Sequence, residues 1–472
     1  MSKGSSENFP LQSSPPGAWE PLLRLRQLAR RPLDRFLRIE AASGILLLAA
    51  ALVALALANS PWGDAYVRFW RAPVGIGVGP LSFERPLEWF VNDGLMVIFF
   101  FVVGMEIRRE VHRGELSTGQ RAALPLAGAL GGMLVPAAMY LLLAGTARTR
   151  PGWGTPMATD IAFALGVLSL LGARVPAALR VLLLALAVID DLGAIVVIAL
   201  FYSSGISLVG LFVAASATVG IFGLQRLGVR AKFPYVVTAL VVWAGTYRAG
   251  VHPTIAGVIV GLITPVRAWL GPSGFVEGVR RELEGLRLER DGADDTHEVE
   301  TFMDHIDAAR REAQSPAESL IKTLHPWVAF GIMPVFALAN AGVRISGGTS
   351  DVTSQSVTTA VALSLVAGKP IGVLVASWLV LQLRIAVLPT GISFRHLVLL
   401  GAVAGIGFTM SIFIAQLAFT DARLLGAAKI GVLVASGAAA TIALMLGFVL
   451  LKARATPGEA QTAHEAESST DR

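Results

Sequence analysis

The chain contains no cysteine. That excludes a disulfide framework, a thiolate nucleophile and thiolate metal ligands. Charge is also scarce. Only 15% of the 472 residues are Asp, Glu, Lys or Arg, against about 25% in soluble domains. An ordinary soluble globule, a disordered chain and a coiled coil are excluded. What replaces the charge is apolar: 54% of the residues are hydrophobic. A membrane-spanning helix needs about 20 mostly apolar residues, so the chain can supply about a dozen. An outer-membrane barrel would give a much weaker, alternating pattern. The net charge of +6 reads as Lys and Arg gathered in cytoplasmic loops, not as a nucleic-acid surface.

The pattern divides the chain into five parts. Residues 1–40 form a polar cytosolic arm with six arginines between Arg24 and Arg38. Residues 41–266 form a first membrane portion of about eight helices, and 319–452 a second of about four. Between them, 267–318 is a charged, acid-rich stretch read as a cytosolic spacer with helical segments. Residues 453–472 form a cytosolic tail. The first apolar run, Ala41–Asn59, ends in Ala56-Leu57-Ala58, which looks like a signal-peptidase site. The polar region before it is too long for a signal peptide and the run is near full spanning length, so it reads as a span. Basic loops containing Arg108, Arg109, Arg113 and Arg121, then Arg174 and Arg180, then Arg226, Arg230 and Lys232, place both termini in the cytosol. The opposite loops hold fewer, such as Arg68, Arg71, Arg85 and Arg248. Gly75–Arg85 alternates around Gly79-Pro80 and predicts a hairpin on the outer face.

Two spans are interrupted. One reads Pro151-Gly-Trp-Gly-Thr-Pro-Met-Ala-Thr-Asp160, the other Gly401-Ala-Val-Ala-Gly405-Ile-Gly407-Phe-Thr409. Pro156 removes a backbone donor and disfavours helix at Thr155. Gly405 and Gly407 permit unwound backbone, and Thr155, Thr159 and Thr409 can bond the freed carbonyls. Non-helical backbone at membrane depth is tolerated only inside protein or beside a water-filled cavity. Paired breaks, one in each half, are a sequence pointer to a transporter's binding site. Ordinary kinked helices are the plainer alternative.

Four ionisable residues lie well inside apolar runs: Asp160, Asp190, Asp191 and Lys369. A charge at the bilayer centre costs at least about 2.5–3.5 kcal/mol, so these face the bundle interior or a cavity. A buried ion pair between one aspartate and Lys369 is the structural reading. Asp190 and Asp191 point about 100° apart on a helix. They can border one cavity but cannot fill one role: one can meet Lys369 while the other faces an ion path. Such a carboxylate takes either a proton or a hard cation. Sodium or lithium suits carboxylate, Thr hydroxyl and unwound carbonyls, whereas the lack of soft ligands argues against zinc or copper.

These residues resemble the NhaA sodium/proton antiporters over about 40–265 and 317–450. The most specific match runs from Ala158-Thr-Asp-Ile-Ala-Phe-Ala-Leu-Gly through Ile189-Asp-Asp-Leu-Gly-Ala-Ile. It is supported by Asn92-Asp-Gly, Gly104-Met-Glu-Ile-Arg-Arg-Glu110, Gly250-Val-His-Pro-Thr, Leu324-His-Pro-Trp, Gly368-Lys-Pro and Gly405-Ile-Gly-Phe-Thr-Met-Ser. The resemblance implies an all-α polytopic membrane protein of about twelve transmembrane helices, an inverted-repeat transporter whose two interrupted helices cross near the midplane. It implies Asp191 as the main ion- and proton-carrying carboxylate, with Asp190 as its partner paired to Lys369. Sodium would sit at Asp190 and Asp191, with Thr159 as a further oxygen. Thr159 and Asp160 would stand at the crossing, Asp160 offsetting positive helix ends and Lys369 negative ones. Glu106, Arg109, Glu110 and His252 would form the pH-response cluster. It further implies electrogenic exchange in a bacterial inner membrane, no cofactor, and a homodimer formed through the hairpin at 75–85. Ile321 and Lys322 depart from the family, which often has an acidic residue and a His there.

The remaining polar and aromatic residues read plainly. His112, His297 and His396 are loop or interface residues. Met96, Phe99–Phe101 and Phe408 are packing, and Trp62, Trp70, Trp153 and Trp269 fit interfacial belts. Three other functions compete. An intramembrane aspartyl protease would use Asp160 and Asp191, but its Tyr-Asp and Gly-x-Gly-Asp patterns are missing. A sodium-coupled solute symporter lacks groups dedicated to an organic substrate. A structural or sensory protein leaves the mid-span aspartates unexplained.

Overall fold

The computed structural model describes residues 40–78, 81–114, 116, 119–203, 205–229, 231–268, 270–271, 274–281, 303–306, 309, 313–344 and 351–451. The arm, the tail and most of the charged stretch expected at 267–318 lie outside the described residues, as do Trp269 and His297.

Leu/Ala/Val runs without polar interruption form helices because only a helix satisfies every backbone group within lipid. In chain order these are α1 (Glu40–Ala58), α2 (Gly63–Arg71), α3 (Leu87–His112) and α4 (Gly119–Ala144). A 3-10 segment (Arg150–Met157) then leads into α5 (Ile161–Leu170), followed by α6 (Ala177–Phe201), α7 (Leu208–Arg226), α8 (Lys232–Arg248) and α9 (Thr254–Ile263). The second portion holds α10 (Pro316–Asn340), α11 (Val352–Gln382), α12 (Phe394–Ala404), α13 (Phe408–Ala418) and α14 (Ala422–Leu450). Seven of these are long and apolar enough to cross a membrane on their own. With each bent pair taken as one span, α1/α2 and α12/α13 bring the number to nine among the described residues, and α5 and α9 are shorter apolar helices.

Helix α9 begins at Thr254, because Gly250 takes φ +76° and reverses the chain after α8. Helix α10 begins at Pro316, where Ser315 caps the helix by accepting from the Glu318 N–H at 3.2 Å. Helix α2 was not foreseen. It turns 114° from α1 and is held by an Arg344–Asp64 ion pair and by Tyr66 Oη donating to the Leu338 carbonyl. Arg148, Arg150 and Arg344 fall in the same loop set as Arg68 and Arg85, which narrows the basic asymmetry between the two loop sets.

The hairpin is present. β1 (Pro73–Val78) pairs antiparallel with β2 (Leu81–Pro86), Pro73 opposite Pro86 and Gly75 opposite Glu84. Phe83 packs edge-on against Trp89 at 5.2 Å, and Arg85 Nη2 donates to Tyr247 Oη at 2.6 Å. These contacts fix the hairpin to the start of α3 and the end of α8. Elsewhere, Ala317 N donates to the Pro265 carbonyl at 3.1 Å, so the two membrane portions meet beside α10.

Helices associate in lipid through close packing, which favours small residues at the contact. α4 and α11 meet through Gly131 and Gly372, where a Cβ on either glycine would run into the backbone of the other helix. This contact places Lys369, at the start of the last segment of α11, beside Gly132 of α4. We expect Gly372→Val to force the helices apart and lower the unfolding midpoint in detergent, with a cost at the 1–3 kcal/mol scale of overpacked cores or above. A midpoint equal to wild type would show that the contact yields without cost.

Candidate functional site

The two interrupted units cross, and the crossing is built by backbone. Residues 158–160 and 405–407 are both non-helical, and Asp160 N donates to the Ile406 carbonyl at 2.8 Å. The crossing brings together the N-termini of α5 and α13. Each carries unsatisfied N–H groups and the positive end of a helix dipole. Asp160 serves both. Its Oδ1 accepts from Phe163 N at 3.0 Å, and its Oδ2 accepts from Thr409 N at 3.1 Å and Thr409 Oγ1 at 2.5 Å.

The opposite ends present carbonyls. Lys369 Nζ donates to the Met157 carbonyl at the end of the 3-10 segment. Thr159 Oγ1 makes contacts of 3.0 Å to the Ala404 carbonyl at the end of α12 and 2.7 Å to Asp190 Oδ2. Lys369 Nζ also reaches Asp190 Oδ2 at 2.6 Å. A single carboxylate oxygen therefore receives an ammonium and a hydroxyl. Asp190, Asp191 and Lys369 are 0% exposed and Asp160 1%.

Asp191 is different. Neither of its carboxylate oxygens accepts a hydrogen bond from the protein, and Asp190 Oδ1 also lacks a partner. A buried charged group without partners is costly, so such atoms mark a functional position or a bound species. Three carboxylate oxygens thus stand unused at one level of α6. They suit a hard cation or a proton. No group of three His, Cys, Asp or Glu side chains suited to a metal ion occurs among the described residues.

Some expectations need correction. Gly405 and Gly407 were expected to supply backbone freedom, but both have negative φ, −65° and −92°. Their use is space. A Cβ at Gly405 would stand 2.7 Å from the Leu365 carbonyl, and one at Gly407 would strike Ser411 Oγ. Of the three threonines expected to bond freed carbonyls, only Thr159 does so. Thr409 is taken by Asp160, and Thr155 Oγ1 is buried without a partner.

The four residues expected as one pH-response cluster are not brought together. Glu106, Arg109 and Glu110 share the last turns of α3. His252 lies at the other end of that helix, its Nε2 3.3 Å from Asp93 Oδ1 and its Nδ1 2.7 Å from Thr254 Oγ1. Asp93 and Glu106 are 13 positions apart in the sequence, or roughly 20 Å along a helix. The reason is packing: α9 runs parallel to α3, with Gly257 against Val97 and Gly261 against Gly104. His252, just before α9, therefore falls beside Asp93.

Asp93 and Asn92 enter the sequence reading only as part of the Asn92-Asp-Gly match, with no role attached. Asn340 Nδ2 donates to Asn92 Oδ1 at 2.7 Å, and Gln416 of α13 donates to Asn340 Oδ1. The available signal is an aspartate in the first turns of an apolar span, beside an asparagine. Of the two departures, Ile321 is buried in the core and Lys322 is exposed.

Seven or more apolar spans, two crossed broken helices with charges set against their ends, and an unpartnered carboxylate beside them define a polytopic membrane protein with a buried polar centre. Residues 34–447 match the family described as Na+/H+ antiporter 1. The chain is 66% identical over 467 residues to Na(+)/H(+) antiporter NhaA 2 of Myxococcus xanthus, covering 99% of each chain. It is 52% identical over 462 residues to Na(+)/H(+) antiporter NhaA 2 of Sorangium cellulosum, covering 98% of this chain and 99% of that one. A solved structure of the sodium proton antiporter MjNhaP1 from Methanocaldococcus jannaschii at pH 8 aligns with 13% identity and a TM-score of 0.46, over 89% of this chain and 98% of that one. The chain belongs to the Na+/H+ antiporter 1 family.

Proposed function

We propose that the chain is a secondary active transporter that exchanges cytoplasmic Na+ or Li+ for external H+ by alternating access. It works in a bacterial inner membrane with both termini cytosolic, and contributes to pH homeostasis and salt tolerance. The observation that carries this reading is Asp191: fully buried, beside an occupied Asp190–Lys369 pair, with both oxygens unused by the protein. A proton or a sodium ion satisfies that carboxylate, and not both at once. Competition at one site is then the coupling. The bound site is neutralised and can move past the low-dielectric barrier, whereas the empty charged site resists the move. Asp160 and Lys369 hold the crossing while the rest of the bundle rocks around it.

Two further assignments extend this reading. Glu106, Arg109 and Glu110 set the pH response from the cytosolic end of α3, and the hairpin at 75–85 joins two copies into a homodimer. The protease reading is disfavoured by Asp160, whose two oxygens are occupied in capping two helices and so are not available to activate water. No cofactor is required: sodium and protons are cargo.

The test uses sealed vesicles with an acid interior and the full chain. External sodium or lithium is expected to evoke proton movement whose rate rises with pH, and potassium to evoke none. Absence of a response to any cation, with folded protein present, would overturn the exchange reading.

A further inference from the structure

Two hydroxyls take no part in the crossing. Thr155 and Ser364 are both completely buried, and neither side-chain oxygen has a hydrogen-bond partner. Both lie on the same side of Lys369. Met157, whose carbonyl receives the Lys369 ammonium, closes the 3-10 segment. Thr155 is two residues back along it, about 4 Å at the 3-10 rise. Ser364 opens the π-turn Ser364–Gly368, and Lys369 N donates to its carbonyl. Ser364 is therefore one turn from Lys369 on its own helix. The 3-10 segment and this π-turn pack directly against each other.

Beyond Thr155 the 3-10 segment reaches a cavity of about 720 Å³ lined by Arg150, Trp153, Tyr202 and Leu417 among others. Trp153 is again two residues from Thr155. The segment is pinned on both sides of this mouth. Tyr202 Oη donates to the Pro151 carbonyl at 2.6 Å, and Tyr140 Oη to the Thr149 carbonyl at 2.9 Å. Going inward, a surface cavity, a buried unpartnered hydroxyl on each of two facing segments, and the Lys369–Asp190 pair follow one another. Buried polar groups without protein partners are commonly met by water that bridges two or more of them.

We propose that Thr155 and Ser364 line a hydrated proton route from the cavity at Arg150–Trp153 to Lys369 and the aspartates. Each hydroxyl accepts a hydrogen bond from one water and donates to the next. The proton is handed on by exchange, and neither hydroxyl changes its charge. Sodium enters from the cytosolic side, and alternating access then releases it to the same outer face from which this route draws the proton. This inference rests on the exchange reading above.

The test compares wild type, Thr155→Val, Thr155→Ser and Ser364→Ala in sealed vesicles, each checked for an unchanged unfolding midpoint. Proton delivery is driven from each face in turn. Thr155→Val keeps the shape and removes the hydroxyl. It is expected to slow exchange about tenfold, the size of one lost hydrogen bond in a rate, when protons are supplied from the cavity face. The apparent sodium affinity measured from the other face should not change. Thr155→Ser should exchange at close to the wild-type rate, and Ser364→Ala should show a smaller loss of the same sidedness. A Thr155→Val rate equal to wild type from the cavity face would overturn the route. So would a Thr155→Ser variant as slow as Thr155→Val, since the lost property would then be packing. Wild-type protein that moves no protons would overturn the exchange reading, and the route with it.

Discussion

Asp191→Asn is expected to reduce sodium-evoked proton movement to the level of protein-free vesicles while leaving the protein folded. The substitution is nearly isosteric. An amide neither binds a proton at neutral pH nor supplies the charge that holds a hard cation. Nothing else in the structure depends on the Asp191 carboxylate, because neither of its oxygens accepts a hydrogen bond from the protein. The change also removes a charge from a site that is 0% exposed, which relieves a desolvation cost. The unfolding midpoint in detergent should therefore equal or exceed wild type. Loss of flux with a retained midpoint assigns Asp191 to transport. Normal flux would remove it from the site, and collapse of the fold would assign it to structure.

The second large effect concerns Asp190 and Lys369. Lys369→Met strands the Asp190 carboxylate with only Thr159 as a donor and deprives the Met157 carbonyl of its partner. Breaking one side of a buried ion pair costs about 3–5 kcal/mol. Asp190→Asn, taken alone, leaves the ammonium with a weaker acceptor. The double variant, Asp190→Asn with Lys369→Met, leaves no unpaired charge and is expected to be more stable than the Lys369→Met single. Unfolding midpoints of the four proteins close the cycle. Additive losses would show that the pair is not coupled. If the double variant still exchanges, the charge moved per sodium ion tells whether the pair carries a proton or only holds the crossing.

Much of this arrangement was legible in the residues. Asp190-Asp191 in the middle of an otherwise smooth Leu/Ala/Val helix has no cheap structural explanation in a bilayer, and the breaks near Pro156 and at Gly405 and Gly407 are written in the residues least suited to helix. The rest is tertiary. Nothing local to Thr159 says that it bridges Asp190 to the Ala404 carbonyl 245 positions away. Gly131 and Gly372 look like any two glycines until the helices that carry them are brought together. The displacement of His252 from the Glu106 end of α3 follows from α9 running parallel to α3, a matter of topology that spacing along the chain does not contain. The short helix α2 went unseen because its apolar and charged residues are mixed in sequence and separate only once wound.

The hydrogen bond from Ala317 N to the Pro265 carbonyl has a consequence for how the chain can be lengthened. It closes a loop at its neck. The entropy lost in closing a loop grows only with the logarithm of its length, so each doubling adds about 0.6 kcal/mol. The length of chain between the two residues therefore weighs little on the stability of the bundle. An insertion between them is expected to leave α9 and α10 adjoined and the unfolding midpoint close to wild type.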